Sequence, residues 1–323
     1  MDLIRRPYAG PEDAAAIAAM FNDIEVHIGS EPSYAAPIVR QWMAEVHDVA
    51  QDTRLIAATD GTVAGFGWVE PPVPGATPIS MHGGIRPAFR GCGLGRELFA
   101  WQLERARTIH AATAPDVAWR AYSSTNARDA AAVRLFDHAG WHVDRNFLDM
   151  ATDLPSVPNK GAAALPDGVV SVPFRPEDAH AIYEAHMQSF AEHYGFQHRT
   201  FETWSRRHPD ADDFRGDLCR VAFDGKDIAG FVLCHDDVVP DALHVSTVGT
   251  RRAWRGRGIA SALIAEIMAA ACDMGKVRAT LGVDATNPTG AVGVYERLGF
   301  RTTARWVSYG LELPPVSADT TCV

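Results

Sequence analysis

The sequence predicts an α/β chain, with an α+β mixed sheet, built as two consecutive domains of one fold related by internal duplication. Three observations carry this expectation. The chain has 323 residues, enough for two domains at roughly 150 residues each. Landmarks recur 165 residues apart: Glu12-Asp13-Ala14 with Ile17 returns as Glu177-Asp178-Ala179 with Ile182, Ala64-Gly65-Phe66 as Ala229-Gly230-Phe231, and Arg90-Gly91-Cys92-Gly93-Leu94 as Arg255-Gly256-Arg257-Gly258-Ile259. Strand-like and helix-like stretches also follow the same order in both copies.

Each copy opens on an acidic turn (Pro11-Glu12-Asp13; Pro176-Glu177-Asp178) before an apolar-periodic helix, where carboxylates meet the positive helix end. Two strands joined by an Asp-Gly hairpin turn come next, at Asp60-Gly61 and Asp224-Gly225. A further strand leads into the Gly-rich turn and a long helix, from Leu94 to about Ile109 and from Ile259 to about Met274. A strand, a short helix and a closing strand pair ending in Phe147–Leu154 and Trp306–Leu313 complete the copies. His138-Ala139-Gly140-Trp141 matches Arg297-Leu298-Gly299-Phe300 at the shorter spacing of 159, so copy one carries extra residues before that point. The expected division is 1–154, a Pro- and Gly-rich linker over 155–168, 169–315, and a tail over 316–323.

Composition narrows the function. With 30 Lys+Arg against 40 Asp+Glu, a net charge of −10 and 47% hydrophobic residues, the chain is neither disordered nor a general binder of nucleic acid or anionic membranes. Small amine-bearing partners suit it better. Five scattered cysteines (Cys92, Cys219, Cys234, Cys272, Cys322) form no CxxC pair, which predicts free thiols in a reducing, cytoplasmic setting and no zinc site. No apolar leader follows Met1-Asp2-Leu3-Ile4-Arg5-Arg6, and Ile259–Cys272 is too short to span a bilayer.

Arg-Gly-Xaa-Gly between strand and helix lets the backbone turn tightly and aims N–H groups outward at a helix N-terminus, which suits a pyrophosphate. Arginines in the turn add charge-assisted bonds. One such turn is weak evidence; two in one register, the second crowded by Arg251, Arg252, Arg255 and Arg257, point to phosphate binding.

These residues carry a resemblance. The order strand, (Gln/Arg)-x-x-Gly-x-(Gly/Ala), helix, strand, Asn, helix, Tyr, Leu-Gly-Phe is similar to the GCN5-related N-acetyltransferases. Copy two supplies all of it: Arg255-Gly256-Arg257-Gly258-Ile259-Ala260, Asn287-Pro288-Thr289 and Tyr295-Glu296-Arg297-Leu298-Gly299-Phe300. Copy one has Arg90-Gly91-Cys92-Gly93-Leu94-Gly95, Asn126, Phe136 and Ala139-Gly140-Trp141. The resemblance implies two such domains, acetyl-CoA or another acyl-CoA as donor, no metal, and direct attack of an amine through a tetrahedral intermediate. It assigns the donor to Val248, Gly249, Thr250, Arg255, Gly256, Arg257, Gly258, Ile259, Ala260 and Asn287 in copy two, and to Ile85, Arg90, Gly91, Gly93 and Gly95 in copy one.

Acyl transfer needs a base for the amine proton and an acid for the leaving thiolate. The resemblance gives the acid role to Tyr295, where copy one has Phe136. Eleven residues before the first motif arginine stands His244 in copy two and Ile79 in copy one, and a histidine accepts a proton near neutrality. Asp241, Glu192 and a water chain compete for that role. His82 lies on the opposite strand face from position 79, which argues against it as a relocated base. Asn287 before Pro288 also fits a helix N-cap, and Asn126 reads the same way. The segment from Phe190 to His198, rich in aromatics, is expected to line the acceptor pocket; His193 and His198 lack a metal-site motif. Copy two is therefore expected to carry the reaction and copy one to be catalytically degenerate. Mycothiol synthase, whose matching position looks like a glutamate, a protein-lysine acetyltransferase and a non-catalytic CoA-binding sensor stand as alternatives.

Overall fold

The computed structural model describes all residues except 1, 73–74, 155–163, 193–195, 197, 238, 287–289 and 317–323. Most of the expected linker, Asn287, His193 and most of the tail thus lie outside the described residues. The chain divides into two compact units, Met1–Asn146 with Arg305–Val323, and Phe147–Ala304.

In the first unit the strands β1 (Leu3–Arg6), β2 (Thr53–Ala58), β3 (Val63–Glu70), β4 (Pro78–Ile85) and β5 (Trp119–Asn126) pair in that order. Residues 306–313, from the last strand β12 (Arg301–Leu313), pair antiparallel with β5. Only β4 and β5 run parallel, and their register covers just Pro78–Ser80 against Arg120–Tyr122. Beyond it the two strands part, which opens a cleft. Helices α1 (Pro11–His27) and α2 (Ala36–Glu45) cover Phe66 and Trp68 with Ile17, Met20, Val39 and Met43. The alternate residue Val69, with Ile79 and Met81, packs under α4 (Leu94–Thr113) and α5 (Ala130–His138) through Phe99, Ala106 and Phe136. A four-residue helix, α3 (Val49–Asp52), precedes β2.

The second unit repeats the plan. Its sheet runs β7 (Val169–Pro173), β8 (Arg220–Asp224), β9 (Asp227–Asp236), β10 (Ala242–Thr250) and β11 (Arg278–Asp284), completed by residues 147–153 of β6 (His142–Asp153). The parallel pair β10–β11 is again short, Ala242–His244 against Arg278–Thr280. Helices α6 (Ala179–Phe190), α7 (Phe201–Ser205), α8 (Ile259–Asp273) and α9 (Ala291–Arg297) supply the layers. β9 is buried from Ile228 to His235, as befits a strand covered on both faces.

Both Asp-Gly turns close hairpins as expected. Gly61 and Gly225 have φ of 88° and 60°, left-handed values that favour glycine, and Thr62 N–H donates to the Asp60 carboxylate at 2.9 Å. The closing strands differ from expectation. His142–Asp153 and Arg301–Leu313 are each one continuous strand, not a pair: neither holds a Pro or an Asx-Gly step to make a tight turn, and Gly310 stays in the ladder opposite Tyr122. The second half of each strand therefore belongs to the other compact unit.

Candidate functional site

The two Gly-rich turns share one backbone shape. Gly91 and Gly93 have φ of 84° and 92°, and Gly256 and Gly258 of 75° and 81°. A side chain at these left-handed positions costs about 1–2 kcal/mol each, which explains glycine at both. Gly93 and Gly258 are the N-caps of α4 and α8, and neither helix start receives a side-chain cap, so the first N–H groups face outward. Gly95 and Ala260 follow in the first turns, where Ile259 is buried.

The first arginine of each motif is not a free phosphate ligand. Arg90 Nε donates to Ile85 O at 3.0 Å, and its two terminal nitrogens grip Asp129 at 3.0 and 2.7 Å. Arg255 Nε donates to Thr250 O at 3.2 Å, with further bonds to Glu192 and Ser189 O at 3.0 Å. Each arginine ties its turn back to the strand before it. Glu192, also paired with Arg252 at 3.1 Å, is thus held by cations, which removes its advantage as a base. Arg257 is exposed beside the turn.

The strands before the turns differ. In the first unit β4 pairs with β3 in unbroken register from Ser80 to Ile85. In the second, the β9–β10 register slips by one between Val245 and Thr247, a bulge that leaves Ser246 outside the ladder. Val248, Gly249 and Thr250 follow it. A Cβ on Gly249 would lie 2.3 Å from the Phe231 ring, so only glycine fits there.

His244 sits two residues before the bulge, in register with His235 of β9 and Thr280 of β11. Its Nδ1 is 3.0 Å from Thr280 Oγ1 and 4.0 Å from Asp237 Oδ2. Burial pushes its pKa below the usual 6.5, outweighing the attraction of Asp237. Asp241 is exposed in the β9–β10 turn at φ 58°. Tyr295, on α9, is buried edge-on to Phe300, and burial alone pushes its phenol up to about 12.

Copy one has neither group. Ile79 is fully buried in the apolar cluster, and Phe136 stacks on Tyr309 at 4.5 Å. His82 stacks on Trp68 at 4.7 Å, on the face away from Ile79 and Met81, as the strand alternation requires. Yet the cleft of this unit holds a cavity of about 360 Å³, lined by Ile85, Arg90, Gly91, Gly93 and Gly95. Asn126 lines it too and is not a helix cap. Its Oδ1 accepts from Arg128 N–H at 3.0 Å, while Asp129 caps α5 through Ala132 N–H. Asn126 is 3% exposed and its Nδ2 has no partner among the described residues, a buried donor facing the cavity. A cleft with an outward helix start and an orphaned donor fits a phosphorylated, amide-bearing ligand.

Sequence reasoning missed Trp306, which lines this cavity from the last strand of the chain, and Thr280 and Asp237, which lie 36 and 7 residues from His244. Only the pairing of strands brings them together.

Comparison with known proteins agrees with this geometry. The profile of the acetyltransferase (GNAT) family matches residues 179–300. A mycothiol acetyltransferase of Salinispora tropica is 29% identical over 287 residues, 85% of this chain and 86% of that protein. The crystal structure of a GCN5-related N-acetyltransferase from Sphaerobacter thermophilus superposes with a TM-score of 0.83 at 30% identity, covering 97% of this chain and 96% of that one. A tandem GNAT protein from the clavulanic acid biosynthesis pathway shares the fold, with a TM-score of 0.67 at 19% identity over 96% of this chain and 98% of the other. Fold, Gly-rich turns and relatives agree, and the chain belongs to the GCN5-related N-acetyltransferase family.

Proposed function

We propose that copy two, residues 169–315, transfers an acetyl group from acetyl-CoA to a primary amine of a small molecule by direct attack of the amine on the thioester. The observation that carries this is a difference between the copies. Both have the left-handed Gly-rich turn at a helix start, but only the second unit joins it to a bulged strand with a titratable side chain, His244.

In this reading the α8 N–H groups and the turn hold the pyrophosphate, with Arg257 adding charge and Arg255 fixing the turn. Val248, Gly249 and Thr250 present backbone to the donor's amide arm, and the bulge at Ser246 frees backbone to polarise the thioester carbonyl. His244, kept neutral by burial, takes the amine proton. Tyr295 stands by the departing sulfur. A phenol near 12 is a much weaker acid than a thiol near 8.5, so full proton transfer to the thiolate runs uphill by about 5 kcal/mol. The hydroxyl acts as a hydrogen-bond donor to the growing negative charge.

Copy one, residues 1–154, keeps a donor cleft but has Ile79 and Phe136 at the working positions. Its cavity and the orphaned Asn126 amide favour retention of an acyl-CoA without turnover. The reducing cytoplasm suits the free thiols of Cys92, Cys219, Cys234 and Cys272. Mycothiol acetyltransferase activity is the alternative that the Salinispora relative favours, and the acceptor separates the two.

The test is thiol release from acetyl-CoA with a panel of primary amines. His244→Gln and Tyr295→Phe should each lower turnover at least tenfold with acetyl-CoA binding intact. Full turnover in both variants, with binding retained, would favour a non-catalytic CoA-binding module.

A further inference from the structure

We propose that Thr280 and Asp237 are positioning residues that hold His244 in the tautomer whose Nε2 is unprotonated, the atom left to take the acceptor's proton. The inference rests on the reading of His244 as the base.

The geometry fixes the direction of each bond. Asp237 lies in the turn between β9 and β10, its side chain 11% exposed. Its Oδ1 accepts from Val239 N–H at 3.0 Å, and its Oδ2 accepts from the Thr280 hydroxyl. A hydroxyl has one hydrogen, and Thr280 gives it to a carboxylate that has none to offer. The 3.0 Å contact between Thr280 Oγ1 and His244 Nδ1 must therefore be a bond that Nδ1–H donates. A neutral imidazole carries one N–H, so Nε2 keeps its lone pair. A carboxylate that fixes an imidazole tautomer in this way is how catalytic bases are oriented; here a hydroxyl is interposed.

Other charged groups face His244 and leave this logic unchanged. From β9, His235 stands directly opposite, its own Nδ1 bonded to Asp213 at 3.1 Å and its Nε2 3.4 Å from His208. From β6, Asp149 lies beside Gly282 of β11. Asp237, Asp213 and Asp149 favour a charged imidazole and His235 disfavours it, but among the described residues only Thr280, with Asp237 behind it, bonds to His244.

Substitution of Asp237 by Asn is the sharpest probe. An Asn keeps an oxygen for Val239 N–H, so the turn survives, but its NH₂ now donates to Thr280 Oγ1. The hydroxyl hydrogen, no longer tied to a carboxylate, can then turn to His244 Nδ1, and the imidazole proton shifts toward Nε2. The experiment is long-range ¹H–¹⁵N correlation on the full chain labelled at its 13 histidines, with His244 assigned by loss of its signals in His244→Gln. The other histidines report the fold. Wild type and Thr280→Ser should show Nδ1–H; Asp237→Asn should shift toward Nε2–H, and Thr280→Val should show a mixture. The acid limb of kcat/KM should move to lower pH in Thr280→Val with KM little changed. An Nε2–H tautomer in the wild type, or Nδ1–H retained undiminished in Thr280→Val, would overturn the proposal. Should the tautomers behave as stated while His244→Gln keeps full turnover, the base reading fails and the tautomer device stands alone.

Discussion

His208 sets the acid limit of the second unit. It is 9% exposed, against Trp204 at 4.9 Å and His235 at 3.4 Å, and burial, with neighbouring His186 and His235, pushes its pKa from 6.5 down to about 3. Its folded pKa lies below its unfolded one, so the unfolded chain binds the proton first. The neutral form's stability is fully present above 6.5 and is lost as pH falls toward 3. The loss reaches roughly 4 kcal/mol by pH 3 and about 2–3 kcal/mol at pH 4.5. That is a large share of the 5–15 kcal/mol typical of a domain. Carboxylates add their own acid loss, so the comparison is with His208→Gln, which cannot take the proton. Urea unfolding at pH 7.5 and pH 4.5 should show the wild type losing about 2–3 kcal/mol more than the variant. At a slope near 2 kcal/mol/M, that moves the relative midpoints by about 1 M. A wild-type-to-variant difference unchanged between the two pH values would refute the reasoning.

The two motif arginines should behave unequally. Arg90→Ala strands Asp129, whose side chain is 7% exposed, and should cost about 3–5 kcal/mol; Arg255→Ala frees a half-exposed Glu192 and should cost about 1 kcal/mol or less. Thermal unfolding of both variants checks the contrast, and equal shifts would contradict it. The acid limb of kcat/KM should have its inflection below pH 6.5, because burial lowers His244 and only its neutral form accepts a proton; an inflection above 6.5 that His244→Gln abolishes would mean its carboxylate neighbours dominate. Gly249→Ala should abolish binding and fold together, since its methyl would enter the Phe231 ring; a folded, active variant would show that β9 and β10 can separate freely.

Much of this was legible in the sequence because it is local. Asp-Gly turns, the glycines of Arg-Gly-Xaa-Gly and the duplicated register follow from backbone sterics within a few residues. The rest depends on pairing. Similarity between copies says which residues are alike, not which strand they join, so nothing in Trp306–Leu313 announced that it would complete the first unit. The bulge at Ser246 is a property of two strands and shows only against β9. Asn126 looked like a cap by its neighbours, but Asp129, three residues on, took that place and also received Arg90. Arg90 and Arg255, which the Gly-rich motif assigned to phosphate, were claimed by Asp129 and Glu192, carboxylates 39 and 63 residues away.

The central claim, that copy two does the chemistry, is tested most directly by blocking each turn in the same chain. Gly93→Trp and Gly258→Trp place a large side chain at equivalent left-handed helix caps. Acetyl-CoA titration by calorimetry and amine-dependent thiol release are then measured on both. The account predicts that Gly258→Trp abolishes turnover and one binding event, while Gly93→Trp leaves turnover within about twofold of wild type. Turnover that survives Gly258→Trp and vanishes with Gly93→Trp would place the reaction in the first copy and contradict it.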